Sequence, residues 1–211
     1  MNEILPFFPL NIVVFPGEIL NLHIYEPRYK QLILECQKTG MRFGIPTFFE
    51  KKSLDYGTEM ELMEISHTYP DGRMDIKSKG LRVFHILKFN KSLKDKLYPG
   101  GTVEYSEDDP TGDILRNKKI LEKLKELFQI MNIKKNVPPL DQNFNSFKIA
   151  HLVGFSLNQE YQLILMPSEV ERLDFIHDHL TNLIPVVIEM ENLRKKAEMN
   201  GHFKNLKAPD F

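Results

Sequence analysis

With 211 residues, 42% of them hydrophobic and 27% charged, the chain has the apolar content for an ordinary core and the length for one large domain or two small ones. That composition excludes a disordered or fibrous chain. A formal charge of −1 excludes a global pull toward polyanions, and the lone Cys36 excludes an internal disulfide and argues against a structural zinc site.

The segment Leu5 to Tyr29 is dense in punctuation. Proline fixes φ and lacks a donor, so Pro9 and Pro16 belong at strand ends. Pro16-Gly17 therefore reads as a turn between strands Ile12–Phe15 and Ile19–Ile24. Pro27 suits the first turn of a helix, where its missing N–H costs nothing, and Tyr29, Leu32, Ile33 and Cys36 give Pro27–Lys38 one apolar face. Thr58–Ser66 alternates imperfectly and predicts a strand. Asp71-Gly72 predicts a hairpin turn between Thr68-Tyr69 and Met74–Ser78. After Gly80, read as a separator, Leu81, Val83, His85, Leu87 and Phe89 alternate in a further strand, and Thr102–Tyr105 forms a last short one.

The pattern then changes. Glu107, Asp108, Asp109 and Asp113, broken by Pro110 and Gly112, mark a loop and a boundary, giving a β-rich module at 1–106 and a helical bundle at 107–211. Ile114, Leu121 and Phe128, with Leu124 and Met131, recur every seven residues in a helix that starts beside Asp113. Pro138-Pro139 interrupts. Asn145–Leu157 and Gln159–Leu165 read as a helical pair, and Pro167-Ser168-Glu169 opens a helix whose apolar face holds Val170, Leu173, Ile176 and Leu180. Pro185 predicts a kink, or a boundary before a final helix that ends near Asn200-Gly201. The fold class is α+β.

The opening segment resembles the Lon substrate-binding domain, in particular stand-alone bacterial versions that begin F-P-L-x-x-V-x-F-P-G and run to E-P-R-Y. The matching residues are Phe8-Pro9-Leu10, Val13, Phe15-Pro16-Gly17 and Glu26-Pro27-Arg28-Tyr29. Further matches are Phe43-Gly44-Ile45, Gly57-Thr58, Asp71-Gly72-Arg73, Gly80-Leu81-Arg82-Val83-Phe84 and Arg172-Leu173, so the resemblance covers most of the chain. It implies a PUA-like β pseudo-barrel with one helix, followed by a C-terminal helical bundle. It further implies a module that grips clients.

Chemistry-bearing motifs are sparse. None of the eleven glycines precedes a lysine, so no G-x-x-x-x-G-K-[ST] loop exists to hold nucleotide phosphates. The resemblance ends without a Ser–Lys proteolytic domain, so the expectation is a recognition part with no motor, no blade and no cofactor. His177-Asp178-His179 is the one suggestive cluster, but histidines two apart on a helix diverge, unlike the i, i+4 pair of H-E-x-x-H. The expected arrangement is a surface His179 and a partly buried His177. Cys36 falls on an apolar helix face and reads as core. Glu26 reads as a favourable charge at a helix start, with Glu26 and Arg28 as a ligand pair the lesser alternative.

What the resemblance implies is non-enzymatic binding of polypeptide segments, unfolded or tagged, with a separate protease as a further partner. In a strand, adjacent aromatics face opposite sides, so the pairs Phe7, Phe8 and Phe48, Phe49 read first as core packed on both faces, with one outward ring from each pair as a candidate apolar contact the lesser alternative. The flexible side chains of Met60 and Met63 are further candidates, and Met74 is an adaptable neighbour. The alternative is RNA binding through the basic segment Arg73–Lys96. Lys77, Lys79, Arg82 and Lys88 would contact phosphates there, with Phe84 stacking on a base. The N-terminus MNEILPFF carries no basic leader and the late apolar run Leu183–Ile188 is too short for a bilayer, which predicts a cytoplasmic protein with no membrane partner.

Overall fold

The computed structural model describes residues 3–49, 52–142 and 144–203. The chain divides into two compact units. One is Met1–Pro110 with Gly154–Glu169, and the other is Thr111–Val153 with Val170–Phe211.

The first unit is built on six antiparallel strands: β1 (Glu3–Pro6), β2 (Ile19–Ile24), β3 (Phe43–Phe49), β4 (Lys52–Thr68), β5 (Met74–Asn90) and β6 (Gly100–Tyr105). They run in the order β1-β6-β5-β4-β3, with β2 pairing β5 off that path. The chain after β1 turns the sheet back on itself. Parallel bridges join Phe7 to Gly44 and Leu10 to Thr47, the Phe8 N–H donates to the Gly44 carbonyl at 2.8 Å, and the Phe48 N–H donates to the Leu10 carbonyl at 2.7 Å. A pseudo-barrel results, because the otherwise open edge of β3 is satisfied by residues next to β1.

Its interior holds Leu5, Phe7, Phe84 and Val103, with the Phe7 and Phe84 rings stacked at 5.6 Å between centroids. Gly44 has no side chain for a packing reason. A Cβ there would meet the Phe84 ring at 2.7 Å and Leu5 at 2.8 Å. A second core lies where helix α1 (Pro27–Thr39) buries Tyr29, Leu32, Ile33 and Cys36 against Ile24, Phe43, Ile45, Met60, Met74 and Ile76. Each such side chain contributes about 1.5–3 kcal/mol of transfer free energy.

Two strand expectations are corrected. Ile12–Phe15 is not a strand: Val13, Val14 and Phe15 are buried without a ladder, and their backbone finds other partners. The Phe15 N–H donates to Glu18 Oε2 at 2.9 Å, and the Thr58 hydroxyl donates to the Val14 carbonyl. Nor does Gly80 separate two strands. It lies inside the continuous β5 at the point where the Phe15 carbonyl crosses so closely that a Cβ would sit 2.4 Å from it. A single residue satisfied two readings, and only packing chose between them.

In the second unit, α2 (Ile114–Ile130) starts at Asp113, whose carboxylate accepts the Leu115 N–H at 2.9 Å. The expected helix over Asn145–Leu157 is corrected to two 3-10 turns, Ser146–Lys148 and Ala150–Leu152. Gly154, at φ 80°, ends that stretch. Ser156 and Gln159 then form a reciprocal capping box that starts α3 (Leu157–Leu165), in the first unit. Helix α4 (Glu169–Phe203) passes through Pro185 unbroken. Pro185 and Thr181, four residues earlier, both lie on the exposed side of the helix, and the predicted boundary does not form.

A candidate polypeptide-binding surface

Antiparallel pairing brings the end of β3, the start of β4 and the end of β5 to one end of the sheet. Phe48, Leu87 and Phe89 stay exposed there, and Phe49 is half-buried. Phe89 stacks on Phe7 at 5.7 Å, which ties this apolar rim to the barrel interior. Behind it, Tyr56 stacks on His85 at 4.6 Å and donates its backbone N–H to the Tyr161 hydroxyl of α3 at 3.2 Å. The rim is therefore mounted on a braced scaffold.

The six predicted contact residues separate into surface and core. Phe7 and Phe8 are both buried, in keeping with core packing on both faces, whereas Phe48 is exposed. Phe7 fills the barrel, while Phe8 stacks on Tyr29 at 3.9 Å, because both faces of the segment are covered. Met60 is buried in the core under α1. Met63 is 51% exposed, in a register break of β4 between Leu62 and Glu64. Pairing sets Phe48 opposite Ser53, ten residues along β4 from Met63, so the exposed candidates form two sites rather than one patch.

The polyanion candidates are mostly spoken for. Register places Lys79 opposite Glu61 and Lys77 opposite Glu64, so acidic neighbours offset both. Arg82 donates from Nε to Glu59 Oε2 at 2.8 Å and lies 3.3 Å over the Tyr105 ring. Glu59 is 1% exposed, and its other oxygen accepts the Tyr105 hydroxyl at 2.8 Å. Burial first, then that hydrogen bond, pushes the Tyr105 hydroxyl well above the usual phenol range, which keeps it a donor. Lys88, opposite Thr102, remains exposed. Phe84 is 0% exposed and unavailable to a base, a correction that follows from its place in the barrel interior.

At the opposite end, the hairpin tip carries a cluster the sequence did not single out. Asp75 lies between His23 on β2 and His67 on β4. His23 Nδ1 is 2.6 Å from its Oδ1, and the Tyr69 hydroxyl donates to its Oδ2 at 2.8 Å. These hydrogen bonds hold the Asp75 carboxyl below its ordinary range. No signal in the sequence could have joined residues 23 and 75, since only the β2–β5 register does so.

The remaining reactive candidates are buried or have protein partners. Burial, then the neighbouring Glu35 charge, pushes the Cys36 thiol up to about 12. Glu26 pairs with Arg28 across 2.7 Å. Of the two histidines of α4, His177 is partly buried as expected and lies beside Asp178, whereas His179 is not a surface residue: its Nε2 lies 3.1 Å from the Val153 carbonyl, and burial lowers its pKa. Among the described residues, no group of three or more His, Cys, Asp or Glu side chains is placed to hold a metal ion. In the second unit, an open recess of about 610 Å³ lies beside the end of α2, lined by Lys125, Phe128, Gln129 and Asn132 among others.

Residues 4–182 match the family described as the ATP-dependent protease La (LON) substrate-binding domain. The chain belongs to the Lon substrate-binding domain family. A crystal structure of a Lon N-terminal domain protein from Xanthomonas campestris superposes with a TM-score of 0.66 at 24% identity, covering 82% of this chain and 95% of that one. The N-terminal domain of Mycobacterium avium complex Lon protease gives 0.63 at 15% identity, covering 85% and 98%. Both likenesses establish the Lon N-terminal fold. A curated relative, LON peptidase N-terminal domain and RING finger protein C14F5.10c of Schizosaccharomyces pombe, is 23% identical over 226 aligned positions. The match covers 85% of this chain and 45% of the relative, so the chain spans about half the length of the curated protein it matches. No helix among the described residues is long and apolar enough to cross a membrane.

Proposed function

We propose that this Lon-family chain is a non-enzymatic binder of unfolded or tagged polypeptide segments, acting in the cytoplasm of a bacterial cell and passing clients to a separate protease. The β-rich module at 1–106 is the gripping part, while the helical remainder at 107–211 is divided between the two units, α3 going with the first. The observation that carries the reading is the exposure of Phe48, Leu87 and Phe89 at one end of the closed sheet, together with a β4 edge that, among the described residues, pairs with no strand beyond Met60. Two or three client side chains buried there, at about 1.5–3 kcal/mol each before ordering costs, support weak and reversible capture. The fission-yeast relative, by its name, joins a LON N-terminal domain to a RING finger, which suits a recognition module that serves more than one machine.

The test is fluorescence anisotropy with a labelled, reduced and alkylated unfolded protein, titrated with the wild type and with a Phe48→Ser/Leu87→Ser variant. Saturable binding that weakens in the variant and changes little with salt supports the proposal. Absence of binding to the unfolded chain, with binding to single-stranded RNA that falls log-linearly as salt rises, replaces it with the RNA reading.

A further inference from the structure

β3 begins at Phe43, opposite Met60, and β4 runs on for eight more residues, Glu61–Thr68. On one side this stretch pairs with β5, and among the described residues no strand pairs with its other side. Arg42 stands where the edge opens. Its side chain is 46% exposed and reaches Glu59 through one N–H at 3.4 Å, the long limit of a hydrogen bond, while Arg82 and Tyr105 hold the same carboxylate at 2.8 Å. Of the five guanidinium N–H donors, four have no acceptor among the described residues.

We infer that the open edge of β4 takes the C-terminal end of a client polypeptide, whose terminal carboxylate is bound by Arg42. The inference rests on the polypeptide-binding reading above and adds which part of the client is held. Chain direction and charge carry it. A segment added antiparallel to β4 continues the line of β3 and runs the same way, from the Thr68 level toward Glu61. Its C-terminus therefore arrives at Arg42, where a carboxylate meets the guanidinium fork in its favoured bidentate geometry. Parallel addition would bring an ammonium group to the same place, against like charge. An internal segment would bring no charge at all.

The rest of the edge narrows the client. Glu61 and Glu64, each opposite a lysine of β5, leave this edge without a net positive charge, which disfavours nucleic-acid phosphates, and Leu62 and Ile65, packed on the core under α1 but still partly exposed, favour an uncharged client segment. Register breaks after Leu62 and after Ile65 bend the strand, so the matched length is short.

The experiment uses two fluorescein-labelled octapeptides of alternating valine and serine, identical except that one ends in a free carboxylate and the other in an amide. Both are titrated into the full chain and into Arg42→Gln and Arg42→Lys variants. The free acid is expected to bind about tenfold tighter than the amide, since one charge-assisted hydrogen bond is worth at least that factor. Arg42→Gln erases the difference, and Arg42→Lys, which keeps the charge without the fork, leaves part of it. Thermal melts check that both variants fold, as expected when Arg82 and Tyr105 still hold Glu59. Equal binding of acid and amide to the wild type, or a preference that survives Arg42→Gln, overturns the inference and leaves general polypeptide binding standing. If neither peptide binds while the unfolded reporter protein does, the inference again fails alone. Failure of peptides and reporter together ends both.

Discussion

Arg82 and Glu59, on neighbouring strands of the barrel, are joined through two hydrogen bonds at 2.8 and 3.4 Å, and the carboxylate is buried while the guanidinium stays half-exposed. The asymmetry sets what each substitution does. Arg82→Ala leaves a buried charge held only by Tyr105 and a distant Arg42, and is expected to cost about 3 kcal/mol. Glu59→Gln keeps an acceptor for Tyr105 and releases the arginine to water, at about 1–3 kcal/mol. Urea unfolding of both variants checks the order. Equal and negligible losses would show that the pair is ornamental.

Met60 and Met63 stand three residues apart on one strand with opposite environments. Met60→Ala opens a cavity under α1 and is expected to cost about 2–5 kcal/mol. Met63→Ala removes an exposed side chain and is expected to stay within about 0.5 kcal/mol. Chemical denaturation measures both, and a large loss at Met63 would contradict its placement in the register break.

Phe84→Ala is expected to cost about 3–5 kcal/mol, because the ring fills the barrel against Phe7 and Gly44. Any RNA affinity of the folded variant should be unchanged, since a ring at 0% exposure cannot stack on a base. Loss of RNA binding without loss of stability would reverse that conclusion.

Glu35 gives the acid limb. Burial raises its pKa, but hydrogen bonds from Lys96, Tyr98 and Gln31 outweigh it and hold the carboxyl below the ordinary 4.5. A depressed carboxylate contributes stability that is fully present above its unfolded value and is lost as pH falls through the folded one. Melting temperature should therefore fall below about pH 4.5, and Glu35→Gln should flatten that fall. An unchanged acid limb in the variant would assign it to other groups.

The rim makes the complementary prediction. Phe48→Ser and Leu87→Ser are expected to weaken capture of an unfolded chain several-fold while lowering the melting temperature less than a core substitution such as Phe84→Ala, because 37% of Phe48 and 45% of Leu87 already face water. Calorimetry beside anisotropy separates the two effects.

What the sequence determined by itself were features written in local chemistry. Pro27 and the apolar face of Pro27–Lys38 set α1, Asp113 set the start of α2, Asp71-Gly72 set the hairpin, and the F-P-L and E-P-R-Y runs set the Lon resemblance. Tertiary structure alone decided which faces water reaches. Phe7 and Phe48 sit in like dipeptides, yet one is sealed when the segment beside β1 closes onto β3, and the other is left at the sheet's end. Arg82 reads as a free cation until Glu59, twenty-three residues away, arrives across the ladder. Backbone propensity acts over a few residues, whereas burial and ion pairing depend on contacts between residues far apart in the chain, which only the closed sheet brings together.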